Sequence, residues 1–247
     1  MTLHTLQKDD ERFDVKIEIL RRSTLFSCLD PCALKEIAPR TDFRHFYRGE
    51  FIFHEGDPPK FLYIVWSGKV KQFKLSASGR AFTTAMMSSG DPLNAVAIFG
   101  AKAYFVSAQA LNKTVTLCIA KEDFVAFVDK YPIVSLRLIP LLGRVLNSAW
   151  QRLTDFAGEV VCQRVFNVLY MLYFKFGDAI PVTREEIADM AGTTPETTVR
   201  VLSRLKRLGI IDPKRGKIVI LNAIKLRDMG GCCYPISHEE SGTDPDG

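Results

Sequence analysis

The sequence predicts an α+β chain, and three observations carry that prediction. From Ser23 to about Phe124, short β-branched and aromatic runs are punctuated by Gly or Pro at roughly 8–14-residue intervals, the pattern of a β-barrel or sandwich. From Ile133 to Phe156, Leu, Ile and Val recur at helical spacing with few breakers. From Glu159 onward, helical patterns with capping signals are closed by a hairpin pattern. The 247 residues give room for one large domain or two ordinary ones, at about 100–200 residues each. A content of 47% hydrophobic and 25% charged residues excludes a disordered chain, a collagen-like chain and a coiled-coil rod.

Taken in order, residues 1–22 read as a leader with a short helix. Residues 23–130 form the β domain, with strands in FYRGEFIFHEGDPP, FLYIVWSGKVKQFKLSASGR, FTTAMMSSGDP and ALNKTVTLCIAKEDF. Gly49, Gly56, Gly68, Gly79 and Gly90 mark its hairpins, where positive φ costs glycine little. Residues 131–158 form one long helix. Leu138, Leu141, Leu142, Val145, Leu146, Ala149 and Leu153 make an apolar stripe along it, and Pro140 is accommodated by a kink. At 1.5 Å per residue such a helix spans ~36 Å, more than its own barrel needs for cover. The spare stripe either pairs with a second copy or packs on its own domain, and Gly158 marks the joint beyond it.

Residues 159–229 complete the fold. VVCQRVFNVLYMLYFKFG is an amphipathic helix expected to end in a left-handed turn at Gly177. Thr183-Arg-Glu-Glu186 is a capping box opening the short helix REEIADMAG. Thr194-Pro195 supplies an N-cap with proline at the first helical position, and that helix runs to Gly209. IIDP, a KRG turn and KIVIL then make a two-stranded wing, so the whole reads as a winged helix-turn-helix. Residues 230–247 are an acidic tail for which no fixed structure is expected.

Charge is distributed unevenly. Between Thr193 and Arg227 stand nine Lys/Arg against two acids, Glu196 and Asp212; from Asp228 to the end stand five acids and no Lys or Arg. Basic charge gathered in one segment is a footprint for a polyanion. At 100° per residue, Thr198, Val201, Leu202, Leu205 and Leu208 fall on one side of the second short helix and are expected to pack on the core. Glu196, Arg200, Ser203 and Arg207 fall on the other, with Arg204 at its margin. That polar face can read a major groove: Arg200 offers a bidentate pair to guanine, and Glu196 accepts from a cytosine amino group. Thr183, Thr193, Arg207, Lys214, Arg215 and Lys217 suit phosphate contacts. A plain surface helix laced by a Glu196–Arg200 pair, worth about 0.3–0.5 kcal/mol, is the competing reading.

Other function classes find little support. The N-terminus is not a signal peptide and no apolar run approaches the ~18 residues of a membrane span, so a cytoplasmic location is expected. Six cysteines are too sparse for a disulfide scaffold. No Gly-rich phosphate loop, zinc-type C-x-x-C or nucleophile motif is present, and four scattered histidines form no constellation, so an enzyme is not expected.

Over roughly residues 20–225 the sequence resembles the cyclic-AMP receptor protein / fumarate–nitrate reduction regulator (CRP/FNR) superfamily. The resemblance rests on TLFSCLDPCALKEIA, IFHEGDPPKFLYIVWSGKVKQF and ALNKTVTLCIAKEDFVAFVDKYP in the first half. In the second it rests on TREEIADMAGTTPETTVRVLSRLKRLGII and GKIVIL. It implies a β-roll (a double-stranded jelly-roll sensor barrel), a dimerisation helix and a winged helix-turn-helix. Double-stranded DNA, a second copy of the chain and RNA polymerase are the implied partners. The family's E-T-x-x-R core maps onto Glu196, Thr197 and Arg200, which with Arg204 would contact bases of an inverted repeat. The cyclic-AMP branch usually carries an arginine before that glutamate; here it is Pro195, which points to a TTGA-like half-site. The serine common before the final arginine in the oxygen- and nitric-oxide-sensing branches is Val199 here.

The resemblance also locates an effector pocket, through Asp91, Phe99, Tyr104, Leu146 and Trp150. A cyclic phosphate needs a fixed cation. Gly90-Asp91 opens the loop, but Pro92 follows, AVAIFGAKAYFVSAQA contains no arginine, and the arginine position aligns near Tyr104. On the facing helix the ligand positions become Leu146, Ala149 and Trp150. So apolar a pocket disfavours cyclic AMP and suits haem, a hydrophobic organic ligand or none. For haem the candidate ligands are His4, His45 and His54, with Cys28, Cys32 and Cys118 as thiolates, although the FHEGD turn favours a solvent-facing His54. An iron–sulfur cluster is disfavoured: Cys28, Cys32 and Cys118 fall short of four unless Cys162 joins. Cys232-Cys233 is a vicinal pair within the tail. A constitutive DNA-binding dimer with a ligand-free barrel is the alternative.

Overall fold

The structure is a computed structural model that describes residues 3–77, 79, 81–158 and 160–230. The expected acidic tail with Cys232 and Cys233, and the side chain of His4, lie outside the described residues. The chain divides into two compact units between Leu153 and Thr154, a few residues before the expected joint at Gly158.

The first unit contains α1 (Leu3–Arg22), α2 (Pro31–Ile37) and a 3₁₀ turn (Ala38–Arg40). Strands β1 (Thr41–Phe46), β2 (Phe51–Phe53), β3 (Phe61–Ser67), β4 (Val70–Leu75), β5 (Ala81–Met87) and β6 (Pro92–Leu93) follow. After a second 3₁₀ turn (Ala95–Ile98) come β7 (Ser107–Ala110), β8 (Thr114–Ala120), α3 (Lys121–Lys130) and α4 (Ile133–Gly158). The strands make two four-stranded sheets, ordered β1-β8-β3-β6 and β2-β7-β4-β5, the two layers of a β-roll.

The unbroken apolar run of β3 is explained by burial on both faces. Tyr63 and Val65 enter a cluster between the sheets with Ile52, Phe53, Val70 and Ala108. Leu62 and Ile64 point the other way, into a second cluster with Ile37, Leu117, Phe124 and Leu138. The register pairs Tyr63 with Cys118 and Ile64 with Leu117, so β8 alternates in step. Where β3 turns into β4, Gly68 has φ +93°, and a Cβ there would lie 2.7 Å from both the Lys113 carbonyl oxygen and Thr114 Cα.

One feature differs from the sequence expectation in this unit. The leader carries a 20-residue helix rather than a short one, and its end is core: Ile19 and Leu20 are 1% and 0% exposed. The apolar spacing Phe13, Val15, Ile17, Ile19 alternates as a strand would, which masked the helix's length; packing of its last turn decides the matter. Before the first strand, Asp30 caps α2, its Oδ1 accepting from the Ala33 N–H at 2.8 Å. The long helix α4 runs on through Pro140, in line with the single helix expected there. Its first turns are buried at Val134 and Leu138, whereas Leu142, Val145, Leu146, Trp150 and Leu153 are 43–67% exposed in the single chain.

The second unit contains α5 (Val161–Phe176), β9 (Ala179–Ile180), α6 (Arg184–Ala191), α7 (Pro195–Arg207), β10 (Ile211–Lys214), β11 (Lys217–Ile220) and α8 (Ala223–Gly230). The wing is three-stranded, ordered β10-β11-β9: Ile218 and Val219 pair with Ile180 and Ala179, a strand too short to read from sequence. The sequence reading also missed α8. Asn222 caps it, Oδ1 accepting from the Lys225 N–H at 2.8 Å, and Leu226 is fully buried. Gly177 has positive φ as expected, but its ψ of −159° is the mirror of extended backbone rather than a left-handed helical turn.

Candidate nucleic-acid interface and sensor barrel

The turn between α6 and α7 is built from local chemistry. Thr183 Oγ1 accepts from the Glu186 N–H at 3.2 Å, and Glu186 Oε2 accepts from the Thr183 N–H at 2.7 Å, closing the capping box. Gly192 takes left-handed dihedrals at φ 61°, ψ 43° and ends α6. Arg164 Nε donates to the Ala191 carbonyl at 3.0 Å, tying that end to α5. Thr194 Oγ1 then accepts from the Thr197 N–H at 3.3 Å and starts α7.

Along α7, Thr198, Val201, Leu202 and Leu205 are buried. Leu208 is not: it is 45% exposed at the helix end, and Ile210, fully buried, fills the core place expected of it. The chain reverses at Gly209, so the 100° rule no longer applies at Leu208. Glu196, Arg200, Ser203, Arg204 and Arg207 are exposed on the opposite side, with Lys206 beside them. Arg200 Nη2 donates to Thr197 Oγ1 at 3.3 Å, which bundles the E-T-x-x-R side chains together. The carboxyl of Glu196 is held below its ordinary range by its own backbone N–H, then by Thr194 and by the Arg200 charge. It therefore stands ready as an ionised acceptor at neutral pH.

The wing and the start of α6 converge. One cleft is lined by Thr183, Arg184, Lys214, Arg215, Gly216 and Lys217 among others, gathering four of the six residues expected to contact phosphate. Lys214 also pairs with Asp212 at 3.5 Å. Arg184 was missed by sequence reasoning; its place immediately after a capping threonine was the available signal. Thr193 is corrected: it is only 8% exposed and its N–H donates to the Ala188 carbonyl at 2.9 Å, so it belongs to the turn rather than to an open phosphate-contacting surface.

In the first unit the five expected pocket residues do not form one lining. Tyr104 is 4% exposed, its hydroxyl donates to the Phe61 carbonyl at 2.6 Å, and its ring stacks on Phe53 with centroids 3.9 Å apart. Burial pushes its hydroxyl pKa up to about 12. Tyr104 thus fills the space between the sheets. Phe99 instead packs edge-on against Phe124 at 5.5 Å, on the other cluster. Asp91 closes a turn, Oδ2 accepting from the Ser88 N–H at 2.8 Å. Leu146 and Trp150 are 57% and 60% exposed on α4. Near them on the helix, Arg152 Nη1 donates to the Thr83 carbonyl at 2.8 Å and its guanidinium lies over the Phe82 ring, clasping β5; no sequence signal marked this residue.

Among the described residues the candidate metal ligands stand apart from one another. Among the described residues no three of His, Cys, Asp or Glu are grouped to hold an ion. His45 and His54 are exposed, so neither imidazole faces the barrel interior, and His54 stacks on Phe51 at 4.1 Å. Cys28 and Cys32 lie beside and within α2, whereas Cys118 is buried on β8 and its thiol pKa is raised by that burial. A raised thiol pKa makes Cys118 a poor thiolate. Among the described residues no helix is long and apolar enough to cross a membrane.

Comparison with known proteins agrees with this architecture. Residues 43–131 match the cyclic nucleotide-binding domain family and residues 163–229 the Crp-like helix-turn-helix domain family. The chain is 29% identical over 211 residues to the cyclic AMP receptor protein of Thermus thermophilus, covering 85% of this chain and 98% of that one. It is 29% identical over 219 residues to the nitrogen fixation regulation protein FixK of Bradyrhizobium diazoefficiens, covering 85% and 91%. The solved structure of FixK2 from Bradyrhizobium japonicum superposes with a TM-score of 0.71 at 21% identity, covering 78% of this chain and 99% of that one, and shares the fold. A β-roll followed by this helix-turn-helix, with relatives that regulate transcription, places the chain in the CRP/FNR superfamily of DNA-binding transcription regulators, not among enzymes.

Proposed function

We propose that the chain acts as a homodimer on an operator of two inverted TTGA-like half-sites, with α7 in the major groove and an effector signal received in the β-roll. The observation that carries the reading is the outer face of α7. Glu196, Thr197, Arg200 and Arg204 are the base-contacting set; Thr183, Arg207, Lys214, Arg215 and Lys217 hold phosphate around them. Exposure of the α4 stripe from Leu142 to Leu153 supports pairing of two copies through that helix. Two recognition helices would then enter successive major grooves ~34 Å apart. RNA polymerase is the protein partner that such a regulator would address.

The effector acts by shifting the population of two arrangements of the dimer. The loop from Ala95 to Ala110 carries no arginine for a cyclic phosphate, which speaks against cyclic AMP. Scattered histidines and cysteines speak against haem and against an iron–sulfur cluster, leaving a small organic ligand as the better-supported signal. Tyr104 favours a second reading, a constitutive DNA-binding dimer whose barrel is structural, because its ring already occupies the interior.

Selection of bound duplexes from a random pool, with sedimentation of the complex, tests the assignment. An inverted repeat recovered with two chains per duplex is the expected result; a single unpaired half-site bound by one chain would overturn it. Repeating the selection with candidate ligands, and recording the absorption spectrum with added haem, separates gated from constitutive binding. A sharp band near ~400–430 nm would restore the haem reading.

A further inference from the structure

Two polar side chains inside the β-roll are used by none of the functions above. Gln72 on β4 is 8% exposed and Thr116 on β8 is fully buried, yet Gln72 Nε2 and Thr116 Oγ1 bond to no group of the described chain. Residues paired across a ladder share a face of their sheet. Gln72 pairs with Ala108 and Thr116 with Val65, and both of those partners belong to the cluster between the sheets. The two side chains therefore face inward from opposite sheets. Their depth is matched as well. Thr114 Oγ1 donates to the Lys69 carbonyl at 3.3 Å, joining the start of β8 to the start of β4, and Thr116 and Gln72 lie just inward of that junction. They oppose one another across a layer about 10 Å deep. Buried polar atoms left unpaired are rare in folded proteins, and two that converge call for a common partner.

Their surroundings leave room for one. In register Gln72 stands between Ala85 on β5 and Ala108 on β7, so methyl groups flank the carboxamide. Val65 and Val70 add apolar walls. Tyr104 is bonded to Phe61, which lies about 13 Å along β3 from Val65 at roughly 3.3 Å per residue, so its ring fills another part of the layer. Arg44 pairs with Thr116 in register, but it is exposed and its guanidinium lies over the Phe61 ring at 4.4 Å, directed away from Gln72. Among the described residues no Lys or Arg is buried, so an anion between Gln72 and Thr116 would lack a fixed counter-charge.

We propose that the layer between Gln72 and Thr116 binds a small uncharged carbonyl compound with an apolar body. One carbonyl oxygen, with its two lone pairs, accepts from both Gln72 Nε2 and the Thr116 hydroxyl. The apolar body rests on Val65, Val70, Ala85 and Ala108. This gives the effector a chemical class, and it rests on the reading of the β-roll as the unit that receives a signal.

The probes are cyclopentanone, its hydrocarbon cyclopentane and the anion cyclopentanecarboxylate, added to the full chain while the methyl resonances of Val65, Val70, Ala85 and Ala108 are recorded by NMR. Cyclopentanone is expected to move all four saturably, half-maximally at about 1 mM. Cyclopentane should bind about 5-fold or more weakly, and the carboxylate should leave the four unmoved. Q72L and T116V should each weaken ketone binding about 3–10-fold and leave the hydrocarbon unaffected. T116V keeps the shape of the side chain, so it answers the question even if Q72L does not fold. It should melt no lower than the parent, because the hydroxyl it removes bonds to nothing in the fold. Ketone and hydrocarbon binding alike, a carboxylate that binds as well as the ketone, or a T116V chain melting several degrees lower would overturn the proposal; the last would mean that the pair holds an internal water only. Operator affinity separates this from the effector reading. If the ketone moves the four methyls without changing that affinity, gating by this ligand falls and the site stands. If the affinity responds to some other ligand while the four methyls stay fixed under the ketone, the site falls and the effector reading stands.

Discussion

Tyr104→Phe is the sharpest test of how the β-roll is filled. The substitution removes a hydroxyl in a side chain 4% exposed that donates to the Phe61 carbonyl at 2.6 Å, while the ring can remain stacked on Phe53 at 3.9 Å. Its cost is the bond plus a buried carbonyl deprived of that donor, about 1–3 kcal/mol. The pH dependence follows from the hydroxyl pKa, which burial raises to about 12 from the ordinary 10.0. The native state therefore holds this proton more tightly than the unfolded chain. That contribution is fully present below pH ~10 and is lost as pH rises from about 10 through 12. Its ceiling is about 2.7 kcal/mol at 1.36 kcal/mol per pH unit, and water at the edge of the barrel lowers it further. Urea unfolding at pH 8 should show the variant less stable by about 1–3 kcal/mol with an unchanged slope. At about pH 11.5 the gap should have largely closed, because the phenylalanine has no proton to lose. A variant as stable as the parent at pH 8, or a gap that persists undiminished in alkali, would refute the picture of Tyr104 as a hydrogen-bonded plug.

Further outcomes follow at five other positions. Arg200→Ala should relax base preference at one position of each half-site by about 1–3 kcal/mol in a competition assay, whereas Lys217→Ala should weaken all sequences alike and reduce the salt slope by about 1. Thr194→Ala removes the cap of α7 and should cost about 1 kcal/mol in thermal unfolding, with Thr194→Gly costing only a few tenths; equal losses would show that the cap is not what matters. Gly68→Ala forces a Cβ to 2.7 Å from the Lys113 carbonyl oxygen at φ +93°, and should destabilise by well over 1 kcal/mol in urea melts. Replacing Leu146, 57% exposed, with glutamate should leave each chain folded by circular dichroism but shift the sedimentation coefficient from two chains to one; an unchanged dimer would remove α4 as the pairing helix.

Much of the DNA-facing half was legible because its signals are short-range. The Thr183–Glu186 box and the Thr194 cap each span three residues, and the split of α7 into a buried and a charged side follows from a 100° step. Errors fell where a local rule met a boundary. Leu208 obeys the helical period only until Gly209 turns the chain, and Phe13 to Ile19 imitate a strand until α1 packs its last turn into the core. The β-roll half was less legible, since its expected lining came from positions rather than from contacts. Tyr104 reached its partner Phe61 across 43 residues, a pairing that no spacing encodes.

By itself, then, the sequence determined most of the longer helices and strands, the caps at Thr183 and Thr194, and which charges line α7, because each of these depends on neighbours within one or two turns. Tertiary structure alone decided that Thr183 meets Lys214, Arg215 and Lys217 in one cleft, that Thr193 is withdrawn from the surface, that a third strand joins the wing, and that Tyr104 fills the barrel. Those outcomes come from desolvation and close packing between residues far apart in the chain, and such contacts exist only once the whole of each unit has folded.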